Sequence, residues 1–328
     1  MNISRIYDKV NGRDVIKYGE LGNRLEAYED YPRAYDAWEI TNYYKEKKHN
    51  IDEVVSCVKY ECGEKAGFTI TRKFRNSTIK QTITLDGHTP NIGFDNDIDW
   101  NDSHILLKAA FPFDINSTTA AYDIQFGYIE RPTHSNTSWD EAKFEVCAHK
   151  YADISENGYG VSLINDCKYG YSAEGSTISL TMLKSATFPD PTADKCNHKF
   201  TYTVYPHAGR FESAETVKNA YILNNPLECV PTSRQSGDLP DRFSFIKLEG
   251  DGAVIETVKK AESGDGIIIR LYDAVNSRGA RTLTFGVPVK EACLCDMLEN
   301  EKSPVAVDGR KISLAVKPFE IVTLKVKI

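Results

Sequence analysis

Few segments of this chain gather side chains able to do chemistry. Cys293-Leu294-Cys295 sets two thiols two residues apart. On a strand they would share a face, which suits simple packing as well as metal binding. Structural zinc usually takes two further Cys or His ligands close by, and none follows at the usual spacing. Asp95-Asn96-Asp97-Ile98-Asp99 opens like a calcium loop, but its sixth position is Trp100 rather than Gly and its twelfth is Leu106 rather than Glu. That acidic run reads as a solvated turn ahead of an apolar strand over residues 105–110.

Two runs are richer. Arg131-Pro132-Thr133-His134-Ser135-Asn136-Thr137-Ser138-Trp139-Asp140 surrounds one aromatic platform with hydrogen-bonding side chains, Arg131 and His134 among them. Asn, Thr and Asp can bind sugar hydroxyls while Trp139 stacks on a pyranose face; a polar loop pinned by its own turn bonds is the plainer alternative. Asn165-Asp166-Cys167-Lys168-Tyr169-Gly170-Tyr171 follows the apolar strand at residues 161–164. Polar groups at a strand end commonly form the rim of a site. Asp166 and Lys168 would share a strand face, where an ion pair serves as well as catalysis. Paired carboxylates for glycoside hydrolysis cannot be singled out among 47 acids. A Walker motif, a dinucleotide glycine fingerprint, a G-x-S-x-G elbow and H-E-x-x-H are all absent from the sequence.

The elements that must position these residues are strands. Ile79, Gln81, Ile83 and Leu85 alternate with Lys80, Thr82 and Thr84. Similar alternation runs through Ile178/Leu180/Met182, Phe200/Tyr202/Val204, Ile312/Leu314/Val316 and Val322/Leu324/Val326/Ile328. Half-buried strands of this kind suit antiparallel sheets packed face to face. Residues 214–223 form one helix candidate, stopped by Asn224-Asn225-Pro226. Regular strand–helix alternation is missing, so the chain reads as all-β. The polar stretch at residues 231–240 marks a boundary between a large β-unit, residues 1–235, and a small β-sandwich, residues 240–328. Strands of that sandwich are expected at 243–247, 267–272, 282–287, 312–316 and 321–328.

Composition removes whole classes of function. With 328 residues the chain can bury a sizeable core. Its 40 Lys+Arg against 47 Asp+Glu give a charge of −7, without the clustered positive charge that nucleic acid or an anionic membrane surface requires. No apolar stretch is long enough to span a bilayer. The amino terminus, M-N-I-S-R-I-Y-D, has no basic segment followed by an apolar run. A cytoplasmic chain with reduced, buried thiols is the expectation for its eight cysteines.

Several runs, taken in order, resemble the carboxyl-terminal half of glycoside hydrolase family 38 α-mannosidases. They are E-D-Y-P-R-A-Y-D-A-W-E-I (Glu29–Ile40), R-P-T-H-S-N-T-S-W-D, F-E-V-C-A-H-K (Phe144–Lys150), Y-G-V-S-L-I-N-D-C-K-Y-G-Y (Tyr159–Tyr171), P-D-P-T-A-D (Pro189–Asp194), H-K-F-T-Y-T-V-Y-P-H (His198–His207) and K-P-F-E-I-V-T-L-K-V (Lys317–Val326). The N-D-C-K-Y-G-Y version resembles the cytosolic and bacterial branch. The resemblance implies a galactose-mutarotase-like β-supersandwich followed by a small β-sandwich. It further implies that zinc, the catalytic Asp and the acid/base belong to an amino-terminal barrel of the same polypeptide, so this chain carries neither metal nor catalytic residues. It would be a piece that completes the substrate pocket, with α-mannoside oligosaccharide and that barrel as partners. Self-association is left open.

Asn165, Asp166, Lys168 and Tyr169 resemble the pocket wall by position. Lys184 stands where many members have an Arg that reaches substrate hydroxyls; Lys lacks the planar fork, so bidentate contact is lost. Arg131 and His134 complete the expected substrate-binding set. The alternatives are a standalone carbohydrate-binding module, or a mutarotase-like enzyme using His134 and Asp166 as acid and base.

Overall fold

The computed structural model describes residues 2–233, 236–238 and 240–328. Strand takes up 51% of the chain and helix 6%, which establishes the all-β class. Two compact units are present: Met1–Asp123 with Ile129–Pro226, and Leu227–Ile328 with Ile124–Tyr128. Arg234, Gln235 and Leu239, within the expected boundary, lie outside the described residues.

The larger unit packs a six-stranded sheet on a nine-stranded one. Spatially, the six-stranded sheet runs Val146–Cys147, Gly170–Glu174, Thr177–Lys184, Ile105–Pro112, Arg24–Glu29, Lys48–Asn50. The nine-stranded sheet runs Gly127–Pro132, Thr119–Ile124, Tyr151–Glu156, Tyr159–Asn165, Asn197–Ala208, Ile92–Asp99, Ser77–Asp86, Lys65–Phe74, Val54–Cys62. All the strand pairs with a described register are antiparallel, so each strand turns one row of alternate side chains inward. Phe94 of one sheet meets Phe111 of the other edge-on at 5.5 Å, in a core that also holds Ile79, Leu107, Leu163, Leu180 and Val204.

That core is not wholly apolar. Gln81 turns inward as its period requires, and its amide reaches Asn96 and Tyr202 at 2.8 Å while accepting from Asn23 at 2.6 Å. The alternation expected from Ile79 fails at the far end of its strand, where Leu85 is 59% exposed and Thr84 is buried. The helix forms at Thr216–Asn224, where the Thr216 hydroxyl bonds Ser162 at 2.8 Å.

Two expectations are corrected. The acidic run is no turn: it belongs to the strand Ile92–Asp99, with Asn96 and Ile98 buried and Asp95 and Asp99 exposed. Acids at a spacing of two are the solvent face of a strand. The thiols are mostly not buried either: Cys57, Cys62, Cys147, Cys167, Cys196 and Cys229 are exposed. Cys57 and Cys62 lie on the edge strand Val54–Cys62, which the core does not cover.

In the smaller unit, Ile246–Glu249, Gly279–Phe285 and Lys311–Val316 form one sheet. Ala253–Lys260, Ile267–Asp273, Ile321–Lys327, Glu291–Cys295 and Glu301–Val305 form the other. Ile269, Leu271, Leu283, Ile312, Leu324 and Val326 build its core. Cys293 and Cys295 bring their sulfurs to 3.8 Å beside a register shift in their strand. Among the described residues no group of three or more His, Cys, Asp or Glu is arranged to hold a metal ion. Among these residues no helix is long and apolar enough to cross a membrane.

Candidate functional site

Crossovers between the two large sheets run at residues 100–104, 166–169 and 185–196, all from the same end of the sandwich. The register explains why. Glu29 pairs with Ile105, and Lys184 with Leu106, so the end of Arg24–Glu29, the start of Ile105–Pro112 and the end of Thr177–Lys184 lie side by side. The segment after Glu29 therefore leaves from this same end.

A charged cluster is built there. Lys184 pairs through its ammonium with buried Asp30, and Asp36 Oδ1 lies 4.0 Å away. Asp36 Oδ2 accepts from the Thr187 amide at 2.7 Å and its hydroxyl at 3.2 Å. His104 Nε2 lies 3.1 Å from the Thr187 hydroxyl, and its Nδ1 lies 3.9 Å from Asp36. Tyr31 stacks on His104 at 4.5 Å and 21°. Tyr31, Tyr35, Trp38 and Phe188, each within two residues of a member of this group, are exposed.

Three details distinguish this end. His104 and Tyr35 both hold φ at 55°, a strained region for non-glycine residues that persists where surroundings enforce it. Asp30 Oδ1, Asp36 Oδ1 and His104 Nδ1 are buried with no hydrogen-bond partner among the described residues, a costly condition that ligand hydroxyls or water would relieve. Exposed aromatic faces beside carboxylates and an ammonium are the pieces that grip a sugar ring and its hydroxyls. Metal does not fit here, because the Lys184 ammonium already occupies the space between the two carboxylates.

Burial pushes the Asp30 carboxyl up, against the pull of Lys184. Burial also pushes Asp36 up, but the Thr187 amide, Lys184 and His104 outweigh it and hold that carboxyl low. Folded Asp30 therefore keeps its proton over a window where an unfolded aspartate, at about 3.9, has lost it, and stability falls as pH rises across that window. Asp36 does the reverse: its contribution is present above about pH 3.9 and is lost as pH falls through its lower folded value. A carboxyl-carbon NMR titration is expected to show Asp30 titrating before Asp36 on acidification; the opposite order would contradict this electrostatic account.

Of the residues singled out from the sequence, Lys184 stands in this cluster and the Asn165–Tyr169 turn lies at the same end. Asn165 is buried and shapes that turn, donating to the His149 carbonyl at 2.8 Å and to Tyr171, and accepting from the Lys168 amide. Asp166 and Lys168 form no pair with each other, because the chain here is a crossover and not a strand. Asp166 accepts from the Thr201 amide at 2.9 Å, and the Lys168 ammonium sits 4.4 Å over Phe200. Tyr169 is exposed.

His134 belongs to the other end: Gly175, at the end of the strand Gly170–Glu174, donates to the Thr133 carbonyl at 2.7 Å. His134 lies 3.7 Å from Asp140, and Trp139 is exposed. Asp166 and His134 thus sit beyond opposite ends of one strand, and the acid/base pairing a mutarotase-like reaction would need is not formed. Arg131 stacks over Tyr122 at 4.8 Å and donates to the Cys147 carbonyl at 3.0 Å.

Sequence reasoning missed Asp30, Tyr31, Tyr35, Asp36, Trp38, His104 and Thr187 as site residues. A signal was there: Glu29–Ile40 has the same density of aromatic and acidic residues that drew notice at 131–140. Another buried group, Asp153 with His207 at 2.8 Å, could be mistaken for part of a catalytic triad. Ser162 donates to the Asp153 carboxylate and not to the imidazole, so the hydroxyl is not activated as a nucleophile.

Residues 2–192 match the Glycosyl hydrolases family 38 C-terminal domain. The chain belongs to glycosyl hydrolase family 38. Residues 252–324 match the family 38 C-terminal beta sandwich domain. Within family 38, Alpha-mannosidase 2C1 of Homo sapiens is 37% identical, over 96% of this chain and 31% of its own length. Alpha-mannosidase G of Dictyostelium discoideum is 37% identical, over 98% of this chain and 31% of its own length. The chain thus spans less than a third of these relatives, as the C-terminal part of a family 38 mannosidase does. A solved alpha-mannosidase from Enterococcus faecalis V583 shares the fold, with a TM-score of 0.81 and 17% identity over 98% of this chain and 40% of that one. The family resemblance and the pair of β-sandwich domains read from the sequence both hold.

Proposed function

We propose that this chain closes the sugar pocket of a zinc-dependent, retaining α-mannosidase acting on α-mannoside oligosaccharides in the cytoplasm. Zinc, nucleophile and acid/base are assigned to a catalytic barrel of the same polypeptide, and orientation of the substrate to this chain. We further propose that residues 1–235 hold the pocket-closing supersandwich and residues 240–328 the small terminal sandwich. One observation supports the reading: Asp30, Asp36 and His104 each hold a buried polar atom with no hydrogen-bond partner among the described residues, in a group whose sequence neighbours Tyr31, Tyr35, Trp38 and Phe188 are exposed. Lys184 fixes the two carboxylates and can share its ammonium with a mannosyl hydroxyl. The Asn165–Tyr169 turn supplies the neighbouring wall.

The test uses the full-length polypeptide. Asp36→Asn and Lys184→Met are each expected to lower kcat/KM on a nitrophenyl α-mannoside by roughly 10²-fold, the loss of about 2–3 kcal/mol of charged hydrogen bonding, with zinc content unchanged. The isolated chain is expected to release no nitrophenol. Wild-type kcat/KM in both variants, or zinc-dependent hydrolysis by the isolated chain, would overturn the proposal.

A further inference from the structure

The outer face of the six-stranded sheet carries a second concavity, away from the Lys184 end. Along Ile105–Pro112 the core takes Ile105, Leu107, Ala109 and Phe111, which leaves Lys108 and Ala110 facing out. Cross-strand register places Arg24, Ala110, Ser179 and Ser172 in one row, and Glu26, Lys108, Thr181 and Gly170 in the next. The small side chains Ala110, Ser179 and Ser172 make most of the first row a floor. In the second, Glu145 accepts from both Lys108 and Thr181 and so fixes the Lys108 ammonium. Gly170 leaves room for that carboxylate: a Cβ there would come within 2.9 Å of Thr181 Cβ and 3.2 Å of Glu145 Oε1.

The result is a cleft of about 370 Å³, flanked by Tyr28 and Tyr44, which meet edge-on at 5.0 Å. A second hollow of about 250 Å³ shares Lys45, Ser172 and Glu174 with it and extends to Thr133, His134 and Asp140. The first by itself falls in the usual size range of small-molecule sites, about 300–1,000 Å³. Charge decides the class of ligand. Lys108 is matched by Glu145, Lys48 by Glu26 at 2.9 Å and Lys45 by Glu174 at 2.9 Å; Arg24 and Glu20 line the same cleft. A groove so balanced has no preference for an ion. It offers many fixed donors and acceptors, among them an Arg24 Nε that is buried with no hydrogen-bond partner among the described residues. Such lining fits a neutral, polyhydroxylated chain lying along tyrosine walls.

We infer that this groove is a second, non-catalytic binding site for a neutral hexose oligosaccharide, with the His134–Asp140 loop holding its outer unit. The inference stands apart from the pocket-closing reading, since no residue of the Lys184 cluster lines either hollow. It gives the polar run at 131–140 the sugar-binding role its residue types allow, in a place remote from the Asn165 turn.

Titration calorimetry of the chain with linear α-mannotriose and with maltotriose tests it. Saturable binding of at least one trisaccharide is expected. Ser179→Tyr, which fills the floor, should weaken it at least tenfold, about 1.4 kcal/mol. Lys45→Ala, an exposed change with an unaltered unfolding midpoint, should weaken it several-fold, and Asp36→Asn at the other end should retain it. No binding of either sugar up to about 10 mM overturns the inference. So does binding that survives Ser179→Tyr and Lys45→Ala; if Asp36→Asn abolishes it instead, the sugar sits at the Lys184 end and the pocket-closing reading survives alone.

Discussion

Glu145→Ala is expected to destabilise the larger unit by about 3–5 kcal/mol, the usual cost of stranding a buried charge. Lys108 is 1% exposed, and besides Glu145 its ammonium meets the Ser172 hydroxyl at 2.7 Å and the Tyr44 ring at 5.7 Å, with the Glu26 charge acting from further off. A surface pair would cost at most about 1 kcal/mol, because water would take over the freed charge. Burial already lowers the pKa of Lys108, with Glu145 acting against it. Without Glu145 the folded-state value falls further below the unfolded value of about 10.4. Between the two the unfolded chain binds more protons, so stability rises with pH across that window and the variant's deficit shrinks on the alkaline side. Urea unfolding at neutral pH and near pH 9.5 measures both effects. Lys108→Met with Glu145→Leu should recover most of the loss, since a matched apolar pair strands no charge. A deficit below about 1 kcal/mol at neutral pH would mean that water reaches Lys108 after all.

Trp100→Ala is expected to cost a similar 3–5 kcal/mol, but by a different route. Its indole is fully buried and lies nearly parallel to Phe74, 5.9 Å away at 13°. Alanine leaves a cavity that flanking strands cannot collapse into, because their register is held by the ladder on both sides. The indole nitrogen has no hydrogen-bond partner among the described residues, so Trp100→Phe loses volume alone and should cost less than half as much. The consequence reaches the candidate site. Trp100 donates its amide to the Cys196 carbonyl at 3.1 Å, tying the crossover that carries His104 to the one that carries Thr187. Hydrogen exchange in the alanine variant should therefore quicken at residues 100–104 and 185–196. Strands Ile267–Asp273 and Ile321–Lys327 have their own core and should exchange as in the wild type. Uniform acceleration across both units would contradict that independence.

Period-2 alternation determined the fold class without help. Ile178/Leu180/Met182 and Phe200/Tyr202 turn inward because hydrophobic burial and strand geometry act on the same residues locally. Family membership was likewise legible, in runs such as N-D-C-K-Y-G-Y whose order along the chain needs no folding to be seen. Alternation misled where a strand outran its cover, as at Leu85, and where a spacing of two fell on a crossover, as at Asp166 and Lys168.

The candidate site was decided by tertiary structure. Asp30, His104 and Lys184 are far apart in sequence, and each taken alone is an ordinary polar residue at a strand end. Only the antiparallel register, which sets Glu29 beside Ile105 and Leu106 beside Lys184, brings them to one rim. Burial then separates an aspartate that binds a lysine from one that water would hold. Neither register nor desolvation is a property of a residue type, so the sequence could name the family, the sheets and Lys184, but not the side chains that meet it.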